Sequence, residues 1–143
     1  MSLKRGFKAE ANRISLRLRQ SLGLASHAPI DLKAVAGKLD FPVRIVELSI
    51  FRDDCPDAVR QLFKDQDAFS AGTVPLPNGS RVIVYNDSHS FGRQRNSIAH
   101  ELAHLILGHE FTFPIDNSGC RILDRDVEDE ANWLGSVILL PDE

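Results

Sequence analysis

Apolar residues recur along the chain with two different periods, and the changes of period divide it into elements. In residues 5–22, Phe7, Ala11, Ile14, Leu18 and Leu22 fall three and four apart, the spacing of one helix face. Arg13, Arg17 and Arg19 lie off that stripe and read as a solvated basic face. Gly23 ends this helix. Asp31, two residues after Pro29, is suited to cap a short helix over 32–39, with Leu32, Val35, Ala36 and Leu39 turned inward. Phe41-Pro42 breaks the helix. Residues 43–48 then alternate and are rich in β-branched side chains, which predicts a strand. Residues 51–67 are less regular; Asp54-Cys55-Pro56 can open a short helix carrying Val59, Leu62 and Phe63. Two extended runs, 69–74 and 81–85, flank Pro75-Leu76-Pro77-Asn78-Gly79-Ser80, and Asn-Gly between apolar runs is a hairpin signal. A helix follows over 93–107, with Ile98, Leu102, Leu105 and Ile106 toward the core and Gly108 as its stop. A loop over 109–123, which can border a cleft, leads to a last helix over 124–140. Val127, Ala131, Leu134 and Ile138 form its stripe. Asp124, Asp126, Glu128 and Asp129 crowd its first turns, where the helix dipole favours negative charge.

These elements predict an α+β chain forming one domain over residues 1–143, with about three strands in a small antiparallel sheet packed against four or five helices. The strand at 81–85 feeds through 86–92 into the helix at 93–107, so it is the expected sheet edge beside that helix. Such an edge can bind an extended peptide by main-chain hydrogen bonds, or simply lie exposed or covered by a loop.

With 143 residues, 43% hydrophobic and 26% charged, the composition is that of a globular domain able to bury a core. A net charge of −3 offers no basic surface for direct nucleic-acid binding and no polybasic membrane patch. No apolar run reaches transmembrane length and no signal-peptide core opens the chain. Cys55 and Cys120 lie in no metal or redox spacing, and two cysteines do not make a disulfide framework. A reducing cytoplasm is the expected location.

The chemistry concentrates in the helix at 93–107. His100-Glu101-Leu102-Ala103-His104 is an H-E-x-x-H sequence; with five histidines in the chain it arises by chance in roughly one such sequence in a hundred. Residues four apart lie one above the other on a helix, so His100 and His104 can hold one metal ion. Glu101, beside the first histidine, is placed to act as general base on a water, as in zinc proteases. A catalytic zinc takes a third protein ligand. His109, across Gly108, reads instead as a helix-end histidine near the last carbonyls. On the last helix Glu128, Ala131, Asn132 and Gly135 share a face. Ala131 and Gly135 are small enough for close approach, which brings Glu128 within reach of the metal and sets Asn132 to orient a ligand histidine. Glu130 points off that face and is the weaker choice.

Two segments resemble a known family. Gly92-Arg93-Gln94-Arg95-Asn96-Ser97-Ile98-Ala99-His100-Glu101-Leu102-Ala103-His104 is similar to the active-site segment of the ImmA/IrrE metallo-endopeptidases. Glu128-Asp129-Glu130-Ala131-Asn132, with the small and apolar run that ends in Leu140-Pro141, is similar to the family's E-x-x-A-N motif. Gly6-Phe7-Lys8-Ala9-Glu10-Ala11 and Pro29-Ile30-Asp31-Leu32 match less specifically. The resemblance implies a zincin-like minimal metalloprotease fold, with the metal on His100, His104 and Glu128 and the base at Glu101. It also implies a cytoplasmic, gluzincin-like zinc endopeptidase that cleaves a helix-turn-helix (Xre-type) repressor and so relieves repression in stress or mobile-element control. Gly135-Ser136 and Leu139 depart conservatively from the alanines and methionine commoner at those positions.

A second donor for the developing oxyanion is expected, and Tyr85 and His89, just upstream of the helix, are the available groups. Arg93 and Arg95 are cations at a helix N-terminus, against the dipole. They call for acid partners among Asp87, Asp126 and Asp129, or grip the substrate. Zn2+ is the expected metal; His-His-Glu also accepts Mn2+ or Fe2+. The alternative reading is a non-catalytic, zinc-containing regulator that sequesters a repressor or a toxin–antitoxin partner. The presence of Glu101 argues against it, since a structural site needs no base. Peptide deformylase also uses H-E-x-x-H, but with a cysteine from an E-G-C motif, and Asp53-Asp54-Cys55 does not match.

Overall fold

The computed structural model describes residues 3–26, 28–64, 69–109 and 125–139. The expected loop at 110–123, Cys120, Asp124 and the Leu140-Pro141 end of the second motif lie outside the described residues. The elements are, in order, α1 (Phe7–Ser21), α2 (Leu32–Ala36), β1 (Val43–Glu47), a 3-10 turn (Leu48–Phe51), α3 (Pro56–Lys64), β2 (Ala71–Pro75), β3 (Arg81–Tyr85), α4 (Phe91–Ile106) and α5 (Arg125–Leu139). Five helices and a three-stranded sheet among the described residues give an α+β arrangement consistent with a small zincin-like fold.

Local chemistry accounts for most boundaries. The Asp31 side chain accepts from the Lys33 amide at 3.0 Å and caps α2 as expected. Ser90 does the same for α4, accepting from the Arg93 amide at 3.3 Å, so that helix starts at Phe91, two residues earlier than its apolar pattern indicates. Asn86 is fully buried; its amide donates to the Phe69 carbonyl, and its oxygen accepts from the Ser88 amide and hydroxyl. This fixes the bend between β3 and α4.

The sheet is mixed, which corrects the all-antiparallel expectation. Its order is β1-β3-β2: β2 and β3 form the antiparallel hairpin, while β1 runs parallel to β3 with Ile45 opposite Ile83. Residues 48–70 carry the chain from β1 past the position that β3 fills, β2 then runs back, and β3 returns between them parallel to β1. Alternation within a short strand carries no information on the direction of its partner. β3 is therefore the central strand, not an edge. The edge that faces α4 near its histidines is β2.

The core is shared by Phe7 and Ala11 of α1, Val35 of α2, Ile83 of β3, Leu102 of α4, and Leu134 and Ile138 of α5. Against expectation, the buried face of α1 continues through Ser15 and Arg19. Arg19 is 1% exposed. Its guanidinium donates to the Ile138 carbonyl at 2.8 Å, to Ser15 Oγ at 2.7 Å and to the Ala28 carbonyl at 3.1 Å, while Ser15 donates to the Val137 carbonyl at 3.0 Å. The last turn of α5 leaves carbonyls without helical partners and carries the negative end of the dipole. Ser15 and Arg19 answer both. Burial lowers the Arg19 pKa from its ordinary value. Among the described residues, no helix is long and apolar enough to cross a membrane.

Candidate metal centre

The close contact that assembles the site is between α4 and α5. Gly135 of α5 lies against the α4 backbone. A Cβ there would stand 3.2 Å from His100 N and 3.3 Å from Ala99 C and O, and Ala131, one turn earlier, is fully buried. Even a methyl at 135 would require the facing backbone to give by a few tenths of an ångström. At this separation the Glu128 carboxylate reaches both histidines of α4. His100 Nε2 lies 2.8 Å from Glu128 Oε2, His104 Nε2 lies 3.3 Å from the same oxygen, and the two Nε2 atoms are 3.1 Å apart.

Three donor atoms of the right chemistry thus converge on one point. A tetrahedral zinc with ligands at about 2.0–2.1 Å holds its donors roughly 3.3 Å apart. The separations of 2.8–3.3 Å here fit such an ion after a slight outward relaxation. Burial opposes charge on His100. The hydrogen bond and charge of Glu128, with smaller contributions from Glu101 and Asn132, outweigh it and raise the His100 pKa above the ordinary histidine value. Hydrogen bonds from His100 and then His104 hold the Glu128 carboxyl well below the usual carboxylate range, despite its partial burial.

Glu101 is 3% exposed and faces the other way, toward the sheet. Its Oε2 accepts a 2.7 Å hydrogen bond from the hydroxyl of Thr73, in the middle of edge strand β2. Glu101 also lines, with His100, Glu128 and Asn132, a cavity of about 540 Å3 whose opposite wall includes Ser70 and Ala71. The cleft runs between the β2 end of the sheet and the metal-site residues.

Of the residues singled out in the sequence, His100, Glu101, His104, Glu128 and Asn132 come together. Tyr85, His89, Arg93 and Arg95 are not among the described residues lining the cavity. The Tyr85 hydroxyl engages Glu47, and burial followed by the charges of Glu47 and Asp87 raises its pKa. His89 is buried in the bend before α4, where its carbonyl accepts from Gln94 at 2.8 Å. Arg95 donates to the Ile30 carbonyl at 3.1 Å and stacks over Phe91, so a backbone oxygen takes the place of the expected carboxylate. Asp87 accepts from the Ser49 amide.

Two groups at the site escaped the sequence reading. Thr73 carries no signal in the sequence, because its partner lies 28 residues away. His109, read as a helix-end residue, places its Nδ1 2.9 Å from His104 Nδ1, and its Nε2 lies 3.3 Å from Glu130 Oε1. Burial, followed by the neighbouring His104, lowers the His109 pKa. The signal available was the five-residue spacing across a helix-stopping glycine.

Two histidines four apart on one helix, a glutamate between them and a carboxylate from the next described helix form a cluster compatible with a metal ion, in a fold consistent with a small zincin-like one. The chain belongs to the Peptidase_M78 family, the IrrE N-terminal-like domain, whose family model matches residues 57–143 and so covers every residue of the centre. This bears out the resemblance read from the two motifs and makes the protein a member of a metallopeptidase family. No curated protein matches the chain.

Proposed function

We propose that this protein is a cytoplasmic zinc-dependent endopeptidase of the gluzincin-like kind, whose substrate is a helix-turn-helix repressor. The observation that carries the reading is the convergence of three donor atoms beside a buried carboxyl on the wall of one open cleft. His100, His104 and Glu128 would hold the ion. When bound, zinc supplies Lewis acidity that polarises a peptide carbonyl and acidifies water. Glu101, oriented by Thr73, accepts the proton of the attacking water and returns it to the leaving amine nitrogen. The edge of β2, which pairs with no further strand among the described residues, offers main-chain groups beside Ser70 and Ala71 to an extended substrate segment. Asn132 lines the same cavity as His100 and favours its charged form, and is the group available there to orient that ring.

The test is co-expression with a helix-turn-helix repressor encoded beside the protein, measuring repressor cleavage and bound zinc. The expected result is specific cleavage that Glu101→Gln abolishes while zinc is retained, and loss of zinc in Glu128→Ala. Tight repressor binding without cleavage in either the parent or Glu101→Gln would reject the protease in favour of a sequestering regulator.

A further inference from the structure

α4 ends in a Schellman motif. Gly108, at φ +70°, follows the last helical turn; its amide donates to the Leu105 carbonyl at 3.2 Å, and the His109 amide donates to the His104 carbonyl at 3.0 Å. This motif brings together the side chains of the residue after the glycine and the residue five before it, a contact that is usually apolar. Here the two residues are His109 and His104, and their rings meet through Nδ1 atoms 2.9 Å apart. The far side of His109 meets Glu130 of α5, two residues beyond Glu128.

Proton positions in this chain of groups are forced once His104 is a metal ligand, so the inference rests on the metal centre proposed above. His104 must present Nε2 as a bare lone pair, which leaves its one proton on Nδ1. That N–H donates to His109 Nδ1, which must then be bare. The His109 proton therefore sits on Nε2 and donates to the Glu130 carboxylate. The His104 side chain is 2% exposed, so its Nδ1 proton has His109 rather than bulk solvent as its acceptor, while His109 and Glu130, each 12% exposed, border a cavity of about 300 Å3 on their far side.

We propose that His109 and Glu130 are positioning residues for His104, holding it in the tautomer and ring orientation that turn Nε2 toward the ion. The two histidines thus differ in their surroundings: His100 lines the open cleft with Asn132, while His104 is backed by a largely buried imidazole and carboxylate.

The experiment is zinc affinity by competition with a chromophoric chelator, alongside thermal unfolding of the zinc-free protein. His109→Phe keeps a ring but removes the acceptor, and is expected to weaken zinc binding by about 10–100-fold. His109→Asn, whose amide oxygen can stand in for Nδ1, is expected to restore most of that loss; a merely space-filling role would not distinguish the two. In the zinc-loaded parent, long-range 1H–15N correlations should place the proton on Nδ1 of His104 and on Nε2 of His109. Parental affinity in a folded His109→Phe, or a His109 proton on Nδ1, would overturn the proposal while leaving the metal centre intact. A parent that binds no zinc would overturn the metal centre and this inference with it. Should His109→Phe not fold, the parent's ring-nitrogen signals decide.

Discussion

The two sides of α4 do different jobs by different physical means. On the α5 side, backbone approaches backbone at Gly135, and three donor atoms are pressed within 3.3 Å of each other. On the β2 side a single hydroxyl touches a single carboxylate, Thr73 to Glu101, beside an open cleft. The convergence of the three donor atoms thus depends on helix–helix separation, and the setting of Glu101 depends on the position of a sheet edge. Within the ligand set the same contrast recurs. The His100 and Glu128 side chains are 23% and 22% exposed, while His104 is 2% exposed and backed by His109.

This division can be broken one side at a time. Gly135→Leu should have the largest effect. It forces α4 and α5 apart, costs about 1–3 kcal/mol of stability, and lowers zinc affinity at least as much as loss of an orienting residue, roughly 10–100-fold. Denaturant unfolding and chelator competition check it, and unchanged zinc affinity would mean the seam does not set the ligand geometry. Arg19→Leu acts on the same side but far from the metal. It strips donors from the buried Ile138 carbonyl and the half-buried Ala28 carbonyl, and is expected to cost about 1–3 kcal/mol with zinc affinity retained. Thr73→Val keeps the shape of β2 and removes only the hydroxyl on Glu101. Peptidase turnover should fall about tenfold, equivalent to about 1.4 kcal/mol, with zinc binding untouched. A fall in zinc affinity instead would show that the two sides are not separable.

The smallest effect is a pH dependence. The folded-state pKa of His100 is raised, so in the zinc-free protein its pairing with Glu128 stabilises fully below the unfolded histidine value and is lost as pH rises through the raised one. Glu128 is shifted down, so its contribution is present above the unfolded carboxylate value and lost only in strong acid. Zinc must displace the His100 proton. Its affinity should therefore fall with decreasing pH, starting at a higher pH than for an ordinary histidine, a trend that chelator competition over roughly pH 5–8 would reveal.

Much of the metal-site half was legible because its information is periodic. A four-residue interval stacks His100 on His104 whatever surrounds them, and the same interval puts Glu128 and Asn132 on one face with the small residues that let it approach. Gly108 was readable as a helix stop, and Asp31 as a cap, for equally local reasons. The sheet was not legible to that depth. The hairpin announced itself through Asn78-Gly79, but the direction of β1 and the edge position of β2 follow from how strands distant in sequence return to one another. Arg19 was misread because an arginine among arginines looks solvated until the carbonyl end of another helix is laid against it.

The sequence by itself determined which groups can meet: two imidazoles and a carboxylate on one helix, a second carboxylate on another, and the family to which they belong. Only the tertiary structure decided what orients them. Thr73 on Glu101, His109 and Glu130 behind His104, and Ser15 and Arg19 at the end of α5 all join residues whose meeting depends on the packing of whole elements. Helical spacing is a property of a segment and can be read from it. A hydrogen bond between elements is a property of their docking, which no single segment encodes.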